Sequence, residues 1–356
     1  MNKVWKQFLL EAGARIDNGQ VYGFAEPADE VRAAANGNIL AELSSLALIH
    51  AQGGDARDFL QSQLSNDINA VDHGHTQLSA YCSPKGRMFA IFQILQRDDG
   101  YLLQLPAALE ESVLKRLRMY VLRANVTLDP VSDELPRIGV CGPTVTDSLR
   151  EALGEVPENI NESRQSGAVT VVRLPGPHPR FELVAEAEAL IGLWPALQKA
   201  ATPVGPAAWA WLDIMTGVPT IAPETVEAFV PQMANLDLLD GINFKKGCYP
   251  GQEIVARMRY LGKLKQRMYR AHLAGDAIPS AGDRVYAPDF PGQAAGAVTA
   301  AQPCPTGGYD LLVVVQISSA AAGELHLGKP DGPLLTLEDL PYDIPASQQQ
   351  DKSGTP

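Results

Sequence analysis

Cysteine is scarce in this chain of 356 residues: there are four, at 82, 141, 248 and 304, with no CxxC and no pairing pattern. That spacing excludes a disulfide-stapled scaffold and predicts free thiols in a cytoplasmic protein. It also leaves too few ligands together for the chain to hold an iron–sulfur centre alone, which takes about four protein ligands. Basic charge is short as well. Twenty-nine Lys and Arg face 41 Asp and Glu, for a net charge of −12, so direct binding of nucleic acid or of an anionic membrane is not expected. No apolar run approaches the roughly 20 residues of a membrane span. The opening MNKVWKQFLLEAG lacks a secretory hydrophobic region.

What is present is the composition of a globular protein, 46% hydrophobic and 20% charged, long enough for two or three compact units. The first 36 residues read as an amphipathic helix (Val4, Phe8, Leu9) and an Asn18–Gly19 turn between short strands, with no evident chemistry. ILAELSSLALIHAQG reads as a strand and DARDFLQSQLSNDI as a helix with Phe59, Leu60 and Leu64 inward. LSAYCSPKGRMFAIFQIL reads as a hairpin about a Ser-Pro-Lys-Gly turn. His73 and His75 stand in a polar loop with no carboxylate or third histidine evident nearby, and are read as solvated; no metal site is expected. Residues 105–121 read as a helix. From Thr144 to Lys199 the pattern is helix, strand, turn, strand, helix, consistent with ferredoxin-like packing. Residues 264–342 are short apolar runs broken by Gly and Pro, the pattern of a small antiparallel β-barrel. Residues 345–356 form a polar tail without core formers.

The stretch that carries chemistry is KKGCYPGQEIVAR, Lys245 to Arg257. A helix is expected from Gln252, closed by Gly262, with Pro250 suited to its first turn. Glu253 and Arg257 then stand four apart in the favourable acid-before-base order. Cys248 falls just before the helix N-terminus beside Lys245 and Lys246, and both dipole and cations favour the thiolate form. Gly247 and Gly251 let the backbone approach a ligand or partner closely. No histidine lies within twenty residues of Cys248, so the usual apparatus of nucleophilic catalysis is missing nearby. A tight turn into a helix with an incidental cysteine fits the same residues. Between Lys245 and Arg270, eight basic residues accompany one acid, Glu253. This is either an anion-binding island or an exposed strand face.

The segment KGCYPGQEIVAR (with Lys246, Gly247, Cys248, Tyr249, Gly251, Gln252, Glu253 and Arg257), within the longer run Phe229 to Arg267, resembles the signature of the YgfZ family of folate-binding proteins, relatives of the glycine-cleavage T-protein. The resemblance extends from about Ile39 to Tyr342 and takes in the "FLQ…ND" helix. It implies an α+β, T-protein-like fold: ferredoxin-like units around a central opening and a C-terminal antiparallel β-barrel. The boundaries expected are 1–36 for an N-terminal extension, 37–135 and 136–262 for two α+β units, 263–344 for the barrel and 345–356 for the tail.

The resemblance also implies a function: a tetrahydrofolate-binding accessory protein, possessing Cys248 as a functional thiol, that supports iron–sulfur cluster assembly or repair in client enzymes, tRNA-methylthiolating enzymes among them. Trp209 aligns with a tryptophan used against folate, and the resemblance favours that role over the alternative, core packing of Trp209 and Trp211, whose i, i+2 spacing lets only one of them face a given side of a strand. Lys245 and Lys263 would meet the glutamate tail of the folate. Two departures bear on aminomethyl transfer, the alternative activity. The T-protein strand carries a catalytic aspartate where this chain has Phe89, Ala90 and Ile91, and a folate-contacting glutamate falls on Met215. A scaffold that binds no folate is the third reading.

Overall fold

Two compact units emerge from the computed structural model, which describes residues 1–98, 100–260 and 262–345. The first consists of Met1–Gln61, Asp67–Gln77 and Phe92–Asp213; the second of Ser62–Asn66, Leu78–Ile91 and the chain from Ile214. The chain passes between them several times, so the units do not follow the linear segments read from the sequence. The polar tail expected over 345–356 lies, but for Pro345, outside the described residues.

The first unit is built on a six-stranded sheet in the order Ser163–Ser166, Val169–Leu174, Arg180–Val184, Arg137–Cys141, Ile39–Glu42, Thr202–Val204. Only the last pair is parallel. Period-2 alternation gives the sheet two different faces. Ile138, Val140, Phe181 and Leu183 point to a core closed by the helices Lys3–Glu11, Val145–Leu153 and Ala187–Gln198. Their neighbours Arg137, Arg180 and Glu182 point the other way and are nonetheless buried.

The opening helix is not an extension. Asn2 caps it, its side chain accepting from the Val4 and Trp5 amides, and Trp5 meets Trp194 edge to face at 5.9 Å. The buried face is Trp5 and Leu9, while Val4, expected inward, is exposed. The large indole decides the orientation, because it removes the most apolar surface from water.

ILAELSSLALIHAQG is two strands, not one. It breaks after Glu42, where the Leu46 amide donates to the Leu43 carbonyl, and Leu46–Gln52 joins a second sheet ordered Gln77–Cys82, Met88–Arg97, Gly100–Pro106, Leu46–Gln52, Thr127–Pro130. The helix read over 105–121 is shorter, Glu110–Arg118, because a strand runs on to Pro106.

In the second unit six antiparallel strands close into a barrel in the order Gln266–Leu273, Tyr309–Gln316, Gly296–Pro303, Arg284–Tyr286, Leu325–Leu327, Leu334–Glu338. Its interior is apolar, with Leu273, Val285, Val313 and Leu335 among its lining. Closure leaves no open sheet edge. Among the described residues no helix is long and apolar enough to cross a membrane.

Candidate functional site

The helix expected after the cysteine motif is present as Gln252–Tyr260, and the Gly262 amide donates to the Arg257 carbonyl at its end. Pro250 sits two residues before that helix rather than in its first turn. Ahead of it, Asn243 folds the chain: its side-chain oxygen accepts from the amides of Lys245 and Lys246 at 2.8 and 3.0 Å. Gln252 reaches back to the Lys246 carbonyl at 3.3 Å.

Lys246 does not stand beside the thiol as a free cation. It is buried, and its ammonium donates to the carbonyls of Leu64 (2.6 Å) and Asn66 (2.8 Å) while lying 5.4 Å from the centre of the Tyr249 ring. A buried ammonium must meet acceptors, and the buried carbonyls of Leu64 and Asn66, just past the helix Ala56–Gln63, supply them. Tyr249 is buried too, and its hydroxyl is pushed well up by that burial, with Cys82 nearby. Cys248 between them is exposed. Of the two lysines expected to attend the thiol, only Lys245 faces solvent.

The hairpin turn meets the same segment. Gly86 and Gly251 both hold positive φ, +70° and +81°. A β-carbon built on Gly251 would stand 2.5 Å from the Ser83 carbonyl oxygen and 2.6 Å from the Gly86 Cα. One built on Gly86 would touch Ile254 at 3.0 Å. Beyond the turn, Met88 exchanges backbone hydrogen bonds with Phe229 and Glu227, and Arg87 donates to the carbonyls of Glu227 and Ala228. Asn66 donates to the Asp240 carbonyl at 2.6 Å, and Ser65 to that of Gly241 at 2.8 Å. Thus the end of the "FLQ…ND" helix, the Ser83–Arg87 turn and the cysteine motif form one packed cluster. All three stretches stand out in the sequence, but only the glycines at 86 and 251 hint there that they meet.

Several expectations are corrected here. Among the described residues no ion pair joins Glu253 to Arg257; both are exposed, and such pairs contribute little in water. The basic island is smaller than its residue list. Besides Lys246, Arg267 is fully buried against Asp237 in a two-pronged ion pair of 2.6 and 2.9 Å. Arg270 pairs with Glu338 at 3.2 Å and donates to the Met215 sulfur. Lys245, Arg257, Arg259, Lys263 and Lys265 remain on the surface. His73 and His75 fall in an exposed loop as expected, but a carboxylate is near after all: His75 Nδ1 lies 3.1 Å from Asp72 Oδ1.

Trp209 lies in the first unit on a helix, Pro206–Thr216, not on a strand. The residue is 4% exposed. The Arg180 guanidinium covers it at 3.9 Å from the ring centre, and a β-carbon at Gly139 would collide with it. Arg180 is held in turn by Asp213 at 2.7 Å and the Trp209 carbonyl at 3.1 Å. This indole is a wall of the interior, not an open platform for a flat ring.

The other thiols differ from Cys248. Burial pushes Cys82 up to about 12 and raises Cys141, which leaves both thiols protonated and inert.

The GCVT N-terminal domain family matches residues 12–167. The chain is 33% identical over 231 residues to the tRNA-modifying protein YgfZ of Colwellia psychrerythraea, covering 65% of this chain and 70% of that one. It is 34% identical over 246 residues to the protein of that name from Yersinia pseudotuberculosis, covering 68% and 74%, and 30% identical over 308 residues to the one from an Enterobacter species, covering 86% and 93%. In three dimensions it resembles the glycine cleavage system aminomethyltransferase T from Bartonella henselae, with a TM-score of 0.76 over 98% of this chain and 99% of that one at 16% identity. At that identity the likeness shows the shared fold.

Proposed function

Because the chain belongs to the YgfZ family of tRNA-modifying proteins, we propose that it is a tetrahydrofolate-binding accessory protein that supports assembly or repair of iron–sulfur clusters in client enzymes, tRNA-modifying enzymes among them. The observation that carries this reading is the packed cluster around one exposed thiol. Lys246 and Tyr249 are anchored on either side of Cys248, so the sulfur is presented from a fixed backbone rather than from a loose loop. A rigid, accessible thiol suits sulfur or metal exchange with a partner. Any cluster is the cargo of that exchange, since among the described residues no four ligands are gathered.

Aminomethyl transfer is disfavoured by the residues themselves. The hairpin strand offers Phe89, Ala90 and Ile91, all buried, where that chemistry calls for a carboxylate. For folate, the surface cations Lys245 and Lys263 are the candidates to receive the glutamate tail. Trp209 enters this reading as a buried support beneath Arg180.

Titration of the purified protein with tetrahydrofolate, followed by tryptophan fluorescence and calorimetry, tests the folate half. Saturable binding is expected, with polyglutamylated folate losing more affinity to added salt than the monoglutamate. Absence of binding overturns it. The thiol half is tested in cells: Cys248→Ser should depress the activity of iron–sulfur enzymes while the protein remains folded and binds folate as before. Undiminished client activity would return Cys248 to an incidental role.

A further inference from the structure

Inside the second unit, far along the chain from the cysteine motif, three side chains of different chemistry converge at one end of the barrel. His272 is on the strand Gln266–Leu273, and Asp310 is its register partner on Tyr309–Gln316. Their facing atoms, Nδ1 and Oδ1, are 3.1 Å apart. Cys304 opens the turn that joins Gly296–Pro303 to Tyr309–Gln316: its amide donates to the Gly308 carbonyl and its carbonyl accepts from Gly307. A β-carbon on Gly308 would strike the Leu273 carbonyl, so this glycine lets the turn fold back beside His272. Donor atoms of His272, Cys304 and Asp310 all lie within 4.8 Å of one another. The Thr306 hydroxyl, 3.2 Å from the Cys304 sulfur, holds the sulfur in place.

We propose that His272, Cys304 and Asp310 form a mononuclear site for a divalent metal of the zinc class. The donor set is one imidazole, one thiol and one carboxylate, the set that zinc takes and that magnesium and calcium do not. Zinc bonds of about 2.0–2.3 Å place tetrahedral ligand atoms about 3.3–3.8 Å apart. The His272–Asp310 pair is close to that span, and the sulfur needs side-chain adjustment of about 1 Å at most. Charge closes as well. A thiolate and a carboxylate balance a dication, which makes a neutral site in a place where Cys304 and Asp310 are both buried. The cation enters as Zn²⁺ and leaves the same; binding expels the thiol proton to solvent and involves no electron transfer. His272 is one quarter exposed at its side chain, so the fourth position opens on its side to water or to a donor from outside. This site is separate from Cys248 and does not depend on the folate reading.

The test is zinc stoichiometry and affinity on the whole protein after chelator treatment, by elemental analysis and calorimetry, with cobalt(II) substituted to reveal a thiolate-to-metal charge-transfer band. Wild type and Cys248→Ser should each bind one equivalent and show the band. Cys304→Ser and His272→Asn should each weaken binding by at least about 100-fold, the upper end of what even outer-shell losses cost. If Cys304→Ser fails to fold by circular dichroism, His272→Asn carries the same comparison. Equal zinc binding by wild type and both variants, loss of binding in Cys248→Ser, or a cobalt complex without the thiolate band would each overturn the site and leave a hydrogen-bonded His–Asp–Cys cluster.

Discussion

Gly251 lies so close to Gly86 that a β-carbon on the former would stand 2.6 Å from the Cα of the latter. The hairpin turn and the cysteine motif are therefore fitted to each other at backbone level. Gly251→Ala should destabilise the protein by about 1–3 kcal/mol, from both the collision and the left-handed φ of +81°. Gly247→Ala meets nothing within 4 Å and should change stability by no more than about 0.5 kcal/mol. Urea denaturation of the two variants side by side checks this, and equal losses would contradict the fit.

Lys246 should prove a structural residue. Replacing it with Met removes the donor to the carbonyls of Leu64 and Asn66 and leaves buried acceptors unsatisfied. The expected cost is about 2–4 kcal/mol. A loss below about 1 kcal/mol in the same denaturation measurement would mean that the carbonyls find water instead.

The four thiols should separate into two classes. Cys248 is exposed while Cys82, Cys141 and Cys304 are buried. An alkylating reagent should consume one thiol rapidly in the native protein, and the other three only after denaturation; Cys248→Ser should abolish the fast phase and shift stability by no more than about 0.5 kcal/mol. Mass mapping of the fast site to any other cysteine would refute the assignment.

Stability should fall as pH rises past the ordinary glutamate range. Burial raises the carboxyl of Glu42 above its ordinary value, offset in part by hydrogen bonds from Ser44 and Trp5 and by Arg137. A group whose folded-state pKa is raised binds its proton more tightly when folded. The stability it lends is full below the unfolded value and is lost as pH climbs through the folded one. Glu42→Gln keeps an acceptor for the Ser44 amide and Trp5 and removes this titration. The variant should therefore gain on the wild type as pH increases, a shallower decline read from melting temperatures across the acid-to-neutral range. Glu182 is raised for the same reason, so part of the decline should persist. Parallel curves for the two proteins would exclude Glu42 as a source.

Local signals carried far in this chain. The Asn18–Gly19 turn forms between its two short strands, with both residues at positive φ. The Ser-Pro-Lys-Gly hairpin, the helix after the cysteine and the Gly/Pro-punctuated barrel are all present. Each rests on near neighbours: a φ that glycine or proline permits, or a repeat of two or 3.6 residues. The length and peculiarity of KGCYPGQEIVAR likewise made the family legible. What the sequence could not determine was where each charge and ring would point. Lys246 reads as a cation beside a thiol until the end of a distant helix offers it two carbonyls. Arg267 reads as part of an exposed island until Asp237 meets it in the interior. Trp209 reads as a platform until Arg180 and Gly139 enclose it. His272, Cys304 and Asp310, separated by as many as 38 positions, become neighbours only when the barrel closes. These outcomes depend on desolvation and on partners brought together across long sequence separations, and those are properties of the packed chain rather than of any stretch within it.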